Sequence, residues 1–345
     1  MTKFESQQVK GLAILMMLWY HLFDQADYLT LYTDICISGN TLSYFFARCC
    51  NPVYIFLVVS GYGLYVSFKS GGSVKRRLVK NAKLYAKYAI IVTFFAIIGC
   101  ICGIEKFGSI STYLKNITLY DTSYIVVYWF LFPYIIISIC SKYILRVFER
   151  WPYLSLIVSA LIYFTVSYCY SKYGAYIWNN HILDNLLHTI YLVFPFLIGA
   201  CLAKFDVFGL IKIKLSTSND GLKSLGKHIY WGGHFYKVVL LLSILCLSIL
   251  RMQTSSYAAN IFYEPLLVIL FVLIPKHKAT SVFLNFFGEN STNLWFIHGW
   301  FCYVFFREEL YNLKYAIIIY LALIGMSLLV SCFFDLLFKS LKLNN

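Results

Sequence analysis

Residues 317–338 are IIIYLALIGMSLLVSCFFDLLF, and residues 89–102 are AIIVTFFAIIGCIC. Such long apolar runs decide the fold class, because a lipid-embedded backbone must satisfy its polar groups internally, in helices or a closed barrel. Barrel strands would be about ten residues long and alternate in polarity, which these runs do not. Of the 345 residues, 60% are hydrophobic and only 13% are charged, against about 25% charged in soluble domains. The sequence predicts an all-α, polytopic transmembrane helical bundle.

About 20 mainly apolar residues are needed for a helix to cross a bilayer, and ten segments meet this requirement. We expect spans at 9–28, 44–68, 83–103, 121–141, 152–171, 185–204, 236–251, 257–275, 291–307 and 315–338. The first is expected to be a retained helix rather than a signal peptide, because no small-residue cleavage site follows Phe23. No segment of soluble-domain size separates the spans, so residues 1–345 are expected to form a single integral membrane domain without an appended soluble domain.

The basic residues test this map independently. If the N-terminus is cytoplasmic, the cytoplasmic segments hold 22 of the 29 Lys and Arg residues, and the external segments hold the other seven. The positive-inside rule expects such a bias, so both termini are predicted to face the cytoplasm. The same rule accounts for most of the net charge of +14, and we therefore expect no nucleic-acid partner.

The first predicted helix carries ionisable residues at unusual depth, since residues 10–27 are KGLAILMMLWYHLFDQAD. Lys10 and His21 are eleven residues apart, close to three turns, so both lie on one helix face about 16 Å apart. Asp24 follows His21 at i+3, within reach of the imidazole. Ionisable groups inside a span are costly and indicate function. The alternative, a histidine that only packs, stays open.

A basic segment, KRRLVKNAK at residues 75–83, leads into the third predicted helix. Four cations share one helical stripe at spacings i, i+4, i+7 and i+11, and a further pair is spaced i, i+3; the stripe is Arg76, Lys80, Lys83 and Lys87, and the pair is Arg77 and Lys80. Such a stripe would hold a multiply phosphorylated ligand through charge-assisted hydrogen bonds. Taken alone, a positive-inside flank or an anionic-lipid site is the more frequent explanation.

Two further segments contain candidate pocket residues. The segment PVYIFLVVSGYGLYVSF, residues 52–68, includes Ser60 in a small-residue sequence that lets a helix or a ligand approach the backbone closely. The aromatic segment YWFLFPY, residues 128–134, includes Trp129. This tryptophan is either a pocket wall or a member of the interfacial aromatic belt.

Polar side chains also interrupt the ninth predicted helix. Residues 291–298 are STNLWFIH, so Asn293 and His298 lie within an aromatic stretch. They either line a pocket or bond across helices. No metal site is expected, because the eleven cysteines show no spacing typical of zinc ligands.

Taken together and in order, these segments resemble the acyltransferase 3 family, the ten-helix membrane acyltransferases that acylate bacterial surface glycans. That family has a basic-x10-His signature, a Ser-Gly-aromatic segment, an Arg-x-x-Arg motif, a Trp-Phe-Leu segment and a late histidine. The matching elements here are Lys10 with His21, VVSGYGL (58–64), Arg77 to Lys80, YWFLFPY and NLWFIH (293–298). Lys80 replaces the motif's second arginine, and Lys83 replaces a proline that is usual a few residues later. A lysine still neutralises a phosphate, but as a point charge rather than a fork.

The resemblance implies a membrane O-acyltransferase that moves an acyl group, expected to be acetyl, from cytoplasmic acyl-CoA to a hydroxyl of a cell-surface or exported glycan. It implies that His21 is the general base and Asp24 its orienting partner. The donor would be bound by Lys10, Arg76, Arg77, Lys80 and Lys83, and the pocket would be lined by Ser60, Trp129, Asn293 and His298. Transfer is either direct or through an acylated enzyme.

The resemblance further implies a multi-pass protein of the bacterial cytoplasmic membrane. Acyl-CoA would be a co-substrate, no cofactor would be bound permanently, and the acceptor would be a glycan or a lipid-linked sugar. Two other classes of protein compete with this interpretation. A transporter or flippase typically contains inverted repeats with paired broken helices, and the two halves of this chain show no convincing similarity. A membrane assembly or sensor protein would give no role to the Lys10–His21 register.

Overall fold

The computed structural model describes residues 1–343 except 29, 38, 50, 214–231 and 254–259. Its α-helices are α1 (Lys3–Phe23), α2 (Leu42–Ala47), α3 (Pro52–Lys69), α4 (Val74–Ile101), α5 (Ile110–Ile117), α6 (Leu131–Arg150), α7 (Pro152–Trp178), α8 (His181–Tyr191), α9 (Val193–Lys204), α10 (Gly232–Gln253), α11 (Asn260–Leu273), α12 (Lys278–Trp300), α13 (Arg307–Tyr311) and α14 (Ala316–Ser340). A π-helical segment, Phe301–Phe305, continues α12, and a 3-10 helix, Val126–Phe130, precedes α6. Two short strands, β1 (Cys36–Ile37) and β2 (Asn40–Thr41), pair antiparallel.

Membrane-spanning character is confirmed for much of the chain. Within the described residues, six helical segments are long and apolar enough to cross a bilayer: Leu42–Lys69, Val74–Ile101, Val126–Arg150, Pro152–Trp178, His181–Lys204 and Ala316–Ser340. The protein is therefore an all-α, multi-pass membrane protein. The count of ten spans stays a prediction. Residues 257–259 of one expected span, and most of the polar connection 204–237, lie outside the described residues.

Several helix boundaries differ from those predicted by hydropathy. Helix α4 begins at Val74 rather than at 83, because lysine and arginine are good helix formers and extend the helix beyond its apolar part. Helix α12 begins at Lys278 rather than at 291. The expected span 185–204 is broken between α8 and α9. Pro195 lies in the first turn of α9 and has no N–H to continue the α8 hydrogen-bond ladder.

Helices α1 and α12, which carry His21 and His298, lie inside the bundle, and apolar helices surround them. Ile14 and Leu18 of α1 are fully buried, and Asn293–Trp300 is a continuous buried stretch of α12. Helix α7, by contrast, exposes a row of large apolar side chains that includes Leu154 and Leu161, as a lipid-facing surface requires. Polar groups on α1 and α12 are thus shielded from lipid, which lowers the cost of keeping them within a bilayer.

Glycines allow two pairs of helices to pack backbone against backbone. A Cβ atom on Gly11 of α1 would overlap the Leu284 carbonyl of α12, and one on Gly288 would overlap the Gln7 carbonyl. Helices α3 and α9 approach in the same way, through Gly61 of α3 and Gly199 of α9. Small residues at such crossings are typical of helix association in membranes. The glycine of the Ser-Gly segment therefore serves helix packing.

We expect Gly61→Ala to destabilise the protein, whereas Gly63→Ala should not. The added methyl at residue 61 would overlap the Phe196 carbonyl of α9, while nothing lies within 4 Å of a Cβ at residue 63. Overpacking of this kind costs about 1–3 kcal/mol. Thermal unfolding of the detergent-solubilised protein measures the effect, and equal melting temperatures for the two variants would contradict the α3–α9 packing.

Cations and the N-terminus gather at one end of the bundle. The Met1 amino group donates to the Tyr62 hydroxyl at 2.6 Å. The Glu149 carboxylate of α6 pairs with Lys69 and with Lys204, both at 3.0 Å. We call this end, where α1 begins and α3, α6 and α9 finish, the basic end.

Candidate active site

Two histidines meet where α1 and α12 lie side by side. The ring centroids of His21 and His298 are 5.2 Å apart, with 31° between the ring planes. The parallel helices explain the pairing, since each histidine follows its close-packed glycine, Gly11 or Gly288, by ten residues. His298 is 0% exposed, while His21 is only partly buried. A substrate can therefore reach His21 more readily than His298.

Tyr303 determines which nitrogen of His21 carries the proton. Its hydroxyl lies 2.8 Å from His21 Nδ1 and donates to the His21 carbonyl at 3.1 Å. A tyrosine hydroxyl has one hydrogen, so both contacts are hydrogen bonds only when Nδ1 carries a hydrogen of its own. His21 is then the Nδ1–H tautomer, and its Nε2 is the unprotonated, basic nitrogen. In its neutral form, an imidazole held in this way is suited to accept a proton.

The same argument applies to His298. Its Nδ1 lies 2.9 Å from the Leu294 carbonyl, which can only accept, so Nδ1 carries the hydrogen. The buried Nε2 has no hydrogen-bond partner in the described part of the chain. Buried polar atoms are normally satisfied, so this nitrogen is available to a ligand or a water molecule. The pair therefore presents two basic nitrogens inside the bundle.

Asp24 does not orient the His21 ring. Its carboxylate lies 4.0 Å from the Arg48 guanidinium and shares a side-chain hydrogen bond with Tyr20. The i+3 spacing placed Asp24 near the imidazole, but α1 ends at Phe23 and the carboxylate turns toward α2. The expected orienting contact of His21 is instead made by Tyr303.

Lys10 lies three turns from His21, toward the basic end, as the helical register predicted. Its side chain is partly buried, and it makes no hydrogen bond or ion pair with any described residue. Lys3 and Lys80 are within electrostatic range of its ammonium group. A partly buried cation among other cations is costly, unless an anion neutralises them. This position is therefore suited to a negatively charged ligand.

Arg77 is the most buried cation of the basic segment, with 5% of its surface exposed. Its Nη1 donates to the Ser141 hydroxyl of α6 at 2.6 Å. The side-chain amide of Asn81 donates to the Arg77 backbone carbonyl at 3.0 Å. Nε and Nη2 of the guanidinium are buried and lack a hydrogen-bond partner among the described residues. These two nitrogens form part of the fork that binds phosphate or carboxylate groups.

The remaining cations of the segment do not converge as the stripe predicted. Arg76 and Lys80 are exposed, and Lys83 is partly buried. Lys87 turns away, and its ammonium lies 5.0 Å from the Phe338 ring centroid of α14. Arg77 lies on the buried face of α4, whereas the stripe assigned to Arg76 runs along a different face. Lys80 is thus within electrostatic range of Lys10, Arg77 points inward toward α6, and Lys87 points toward α14.

Ser60 and Trp129 do not join the histidine pair. Ser60 shares a side-chain hydrogen bond with Tyr134 of α6. The Trp129 ring packs on His188 of α8, with centroids 4.5 Å apart, and it makes no ring contact with His21 within the described structure. Both residues therefore contact neighbouring helices, which leaves their role toward a substrate untested.

Asn293 lies one to two turns before His298 on α12 and is buried. Its amide donates to the Asp335 carboxylate of α14 at 2.7 Å. Asp335 had a visible signal in the sequence, since it is the one acidic residue in the apolar run 317–338. Tyr303 had none, because it is one of 30 tyrosines and its position depends on the π-helical turn after α12.

Fold and site together define a multi-pass, all-α membrane protein. It has a histidine pair between α1 and α12 and a separate set of cations on α1 and α4. The family model described as an acyltransferase domain matches residues 6–336, essentially the whole chain. The chain therefore belongs to the acyltransferase 3 family, and it is a membrane acyltransferase. No curated protein and no solved structure matches it.

Proposed function

We propose that the protein transfers an acetyl group from cytoplasmic acetyl-CoA to a hydroxyl of a cell-surface or exported glycan, across the bacterial cytoplasmic membrane. The observation that carries this proposal is the pair of contacts that Tyr303 makes with His21, which favours the Nδ1–H tautomer. Tyr303 holds Nδ1, so a basic Nε2 remains inside the bundle, on the helix face that also carries Lys10. A neutral imidazole is the side chain that most often serves as a general base.

In the proposed reaction, Nε2 of His21 accepts the proton of the acceptor hydroxyl as its oxygen attacks the thioester carbonyl. The new C–O bond forms while the C–S bond breaks. The departing CoA thiolate then takes the proton from the imidazolium, which restores the neutral histidine. His298, with its centroid 5.2 Å away, would position the acceptor oxygen or the carbonyl. Direct transfer needs no acylated residue, and the proposal takes this route.

The donor would be bound at the basic end. Acetyl-CoA carries several phosphate charges, which match the partly buried Lys10, the nearby Lys80 and the unsatisfied nitrogens of Arg77. About 16 Å of helix separates Lys10 from His21. The flexible arm between the phosphates and the thioester of CoA would bridge this distance.

Purified protein in lipid nanodiscs, given acetyl-CoA with a labelled acetyl group and a panel of glycans, tests the proposal. We expect label on a glycan and an equal amount of free CoA thiol. Uptake of unchanged donor or sugar into proteoliposomes, without any thiol release, would instead identify a transporter and overturn the proposal.

We predict that both chain ends face the cytoplasm. Glu149 binds Lys69 and Lys204 at the basic end, and the Met1 amino group lies at the same end, as the positive-inside rule expects of a cytoplasmic face. Reporter fusions at the C-terminus and in the 105–120 loop should report cytoplasmic and external locations respectively. The reverse result would reject the proposed topology.

Tyr303→Phe should lower kcat about two- to tenfold, as expected for the loss of one neutral hydrogen bond, without changing the KM for acetyl-CoA. The phenyl ring keeps the packing but no longer fixes the Nδ1–H tautomer of His21. Steady-state kinetics with both substrates varied measures the effect. A kcat equal to that of the wild type would show that the Tyr303 hydroxyl does not support His21 in the reaction.

A further inference from the structure

A second buried polar cluster lies at the end of the bundle opposite the basic end. It consists of Arg251 on α10, Asn260 and Glu264 on α11, and the backbone of Asn51 at the start of α3; we call it the Glu264 cluster. Glu264 and Asn260 are both 0% exposed. The Asn51 N–H donates to Glu264 Oε1 at 2.7 Å, and Arg251 Nε lies 3.8 Å from the same oxygen. The proposed transfer chemistry uses none of these groups.

Three side-chain atoms of Glu264 and Asn260 are unsatisfied. Glu264 Oε2 and both Asn260 atoms, Oδ1 and Nδ2, are buried and have no hydrogen-bond partner in the described regions. Buried polar atoms almost always have a partner, and leaving them unpaired costs free energy. Asn260 and Glu264 are spaced i, i+4, so their side chains lie on one face of α11. The three atoms therefore form one small patch that can both donate and accept.

The Glu264 cluster reaches toward the end of α1 through Arg251. Arg251 is within electrostatic range of Asp24, which follows His21 by three residues. On its other side, Glu264 acts electrostatically on Tyr163, whose hydroxyl donates to the Tyr54 hydroxyl at 3.2 Å. The cluster is thus within electrostatic range of the C-terminal end of α1 and of a tyrosine hydroxyl, and its buried side chains do not face lipid.

We infer that Glu264 and Asn260 bind the acceptor through neighbouring hydroxyl groups of a sugar ring. A sugar hydroxyl donates and accepts, so one can donate to Glu264 Oε2 while a second contacts both atoms of the Asn260 amide. Arg251 lies 3.8 Å from the Glu264 carboxyl group and offsets its charge, so the patch suits the neutral hydroxyl groups of a polyol. This inference rests on the proposed function, since it identifies the acceptor subsite of the same reaction.

Two conservative variants of the full-length protein test the inference. Glu264→Gln keeps an oxygen to accept from the Asn51 N–H, and Asn260→Leu keeps the branched shape of the side chain but removes its polar atoms. Each should raise the KM for the acceptor glycan at least tenfold. The KM for acetyl-CoA and the rate of its slow hydrolysis without acceptor should stay unchanged. Ser327→Ala, which removes another buried hydroxyl without a described partner, should change neither KM.

Direct binding separates this inference from the reaction itself. Methyl glucoside, titrated as a probe, should raise the melting temperature of the wild type and of Ser327→Ala, but not of Asn260→Leu. An unchanged acceptor KM, or an equal thermal shift in Asn260→Leu, would mean that water fills the patch and would overturn the inference alone. If the wild type acylates no glycan, the proposed function fails, and the thermal shift still decides whether the patch binds a sugar.

Discussion

Replacing His21 by alanine should lower acyl transfer by about 10²–10⁴-fold, the contribution typical of a general base. The variant should still insert into the membrane, because His21 is only partly buried and the Gly11–Leu284 contact that holds α1 on α12 lies ten residues away along α1. The loss should fall on kcat rather than on the KM for acetyl-CoA, since the cations that would hold the donor lie three turns away. Release of labelled acetyl from acetyl-CoA onto a glycan measures the effect.

His298→Ala is the matched control for this experiment. It removes an identical side chain from the other member of the pair, but one that is fully enclosed and therefore less accessible to the acceptor. We expect a smaller loss of rate than in His21→Ala. Wild-type activity in His21→Ala would show that His21 is not the general base. A larger loss in His298→Ala would assign that role to His298.

The Lys10–His21 register was predictable because helical periodicity alone fixes it. The pairing of His21 with His298 was not, since it depends on two glycines that set how α1 and α12 pack. Similarly, i+3 spacing placed Asp24 near His21, yet the end of α1 turns the carboxylate toward Arg48. Local spacing predicts neighbours within one helix, whereas contacts between helices depend on packing that this sequence does not reveal.

The basic segment illustrates the same limit. Spacing alone grouped Arg76, Lys80 and Lys83 into one stripe, and it could not tell which face of α4 would be covered by another helix. Ser141 of α6 is what holds Arg77 inward, and no pattern along α4 encodes that contact. Arg77 was therefore predicted as a member of the donor site, but its burial against α6 was not.

Removing the charge of Arg77 should raise the KM for acetyl-CoA by at least about tenfold, because a charge-assisted hydrogen bond contributes about 1.5–3 kcal/mol. Nε and Nη2 of Arg77 are buried and have no described partner, so phosphate oxygens would meet donors that need no prior desolvation. Arg77→Gln combined with Lys80→Gln should raise this KM further, while the KM for the glycan stays unchanged. Donor binding in the double variant should also depend less on salt, since fewer ion pairs remain to be screened.

Arg146→Gln is the matched control for the Arg77 variants. It removes one positive charge from the exposed surface of α6, near the basic end, and it should leave the KM for acetyl-CoA unchanged. Arg77→Lys separates charge from geometry, because lysine keeps the charge but loses the fork, so its KM should lie between those of the wild type and Arg77→Gln. If the basic segment serves only as a topology signal, the Arg77 variants will insert poorly, yet correctly inserted protein will bind acetyl-CoA normally. Donor affinity measured on inserted protein therefore decides between the two explanations, and an unchanged value would exclude Arg77 from the donor site.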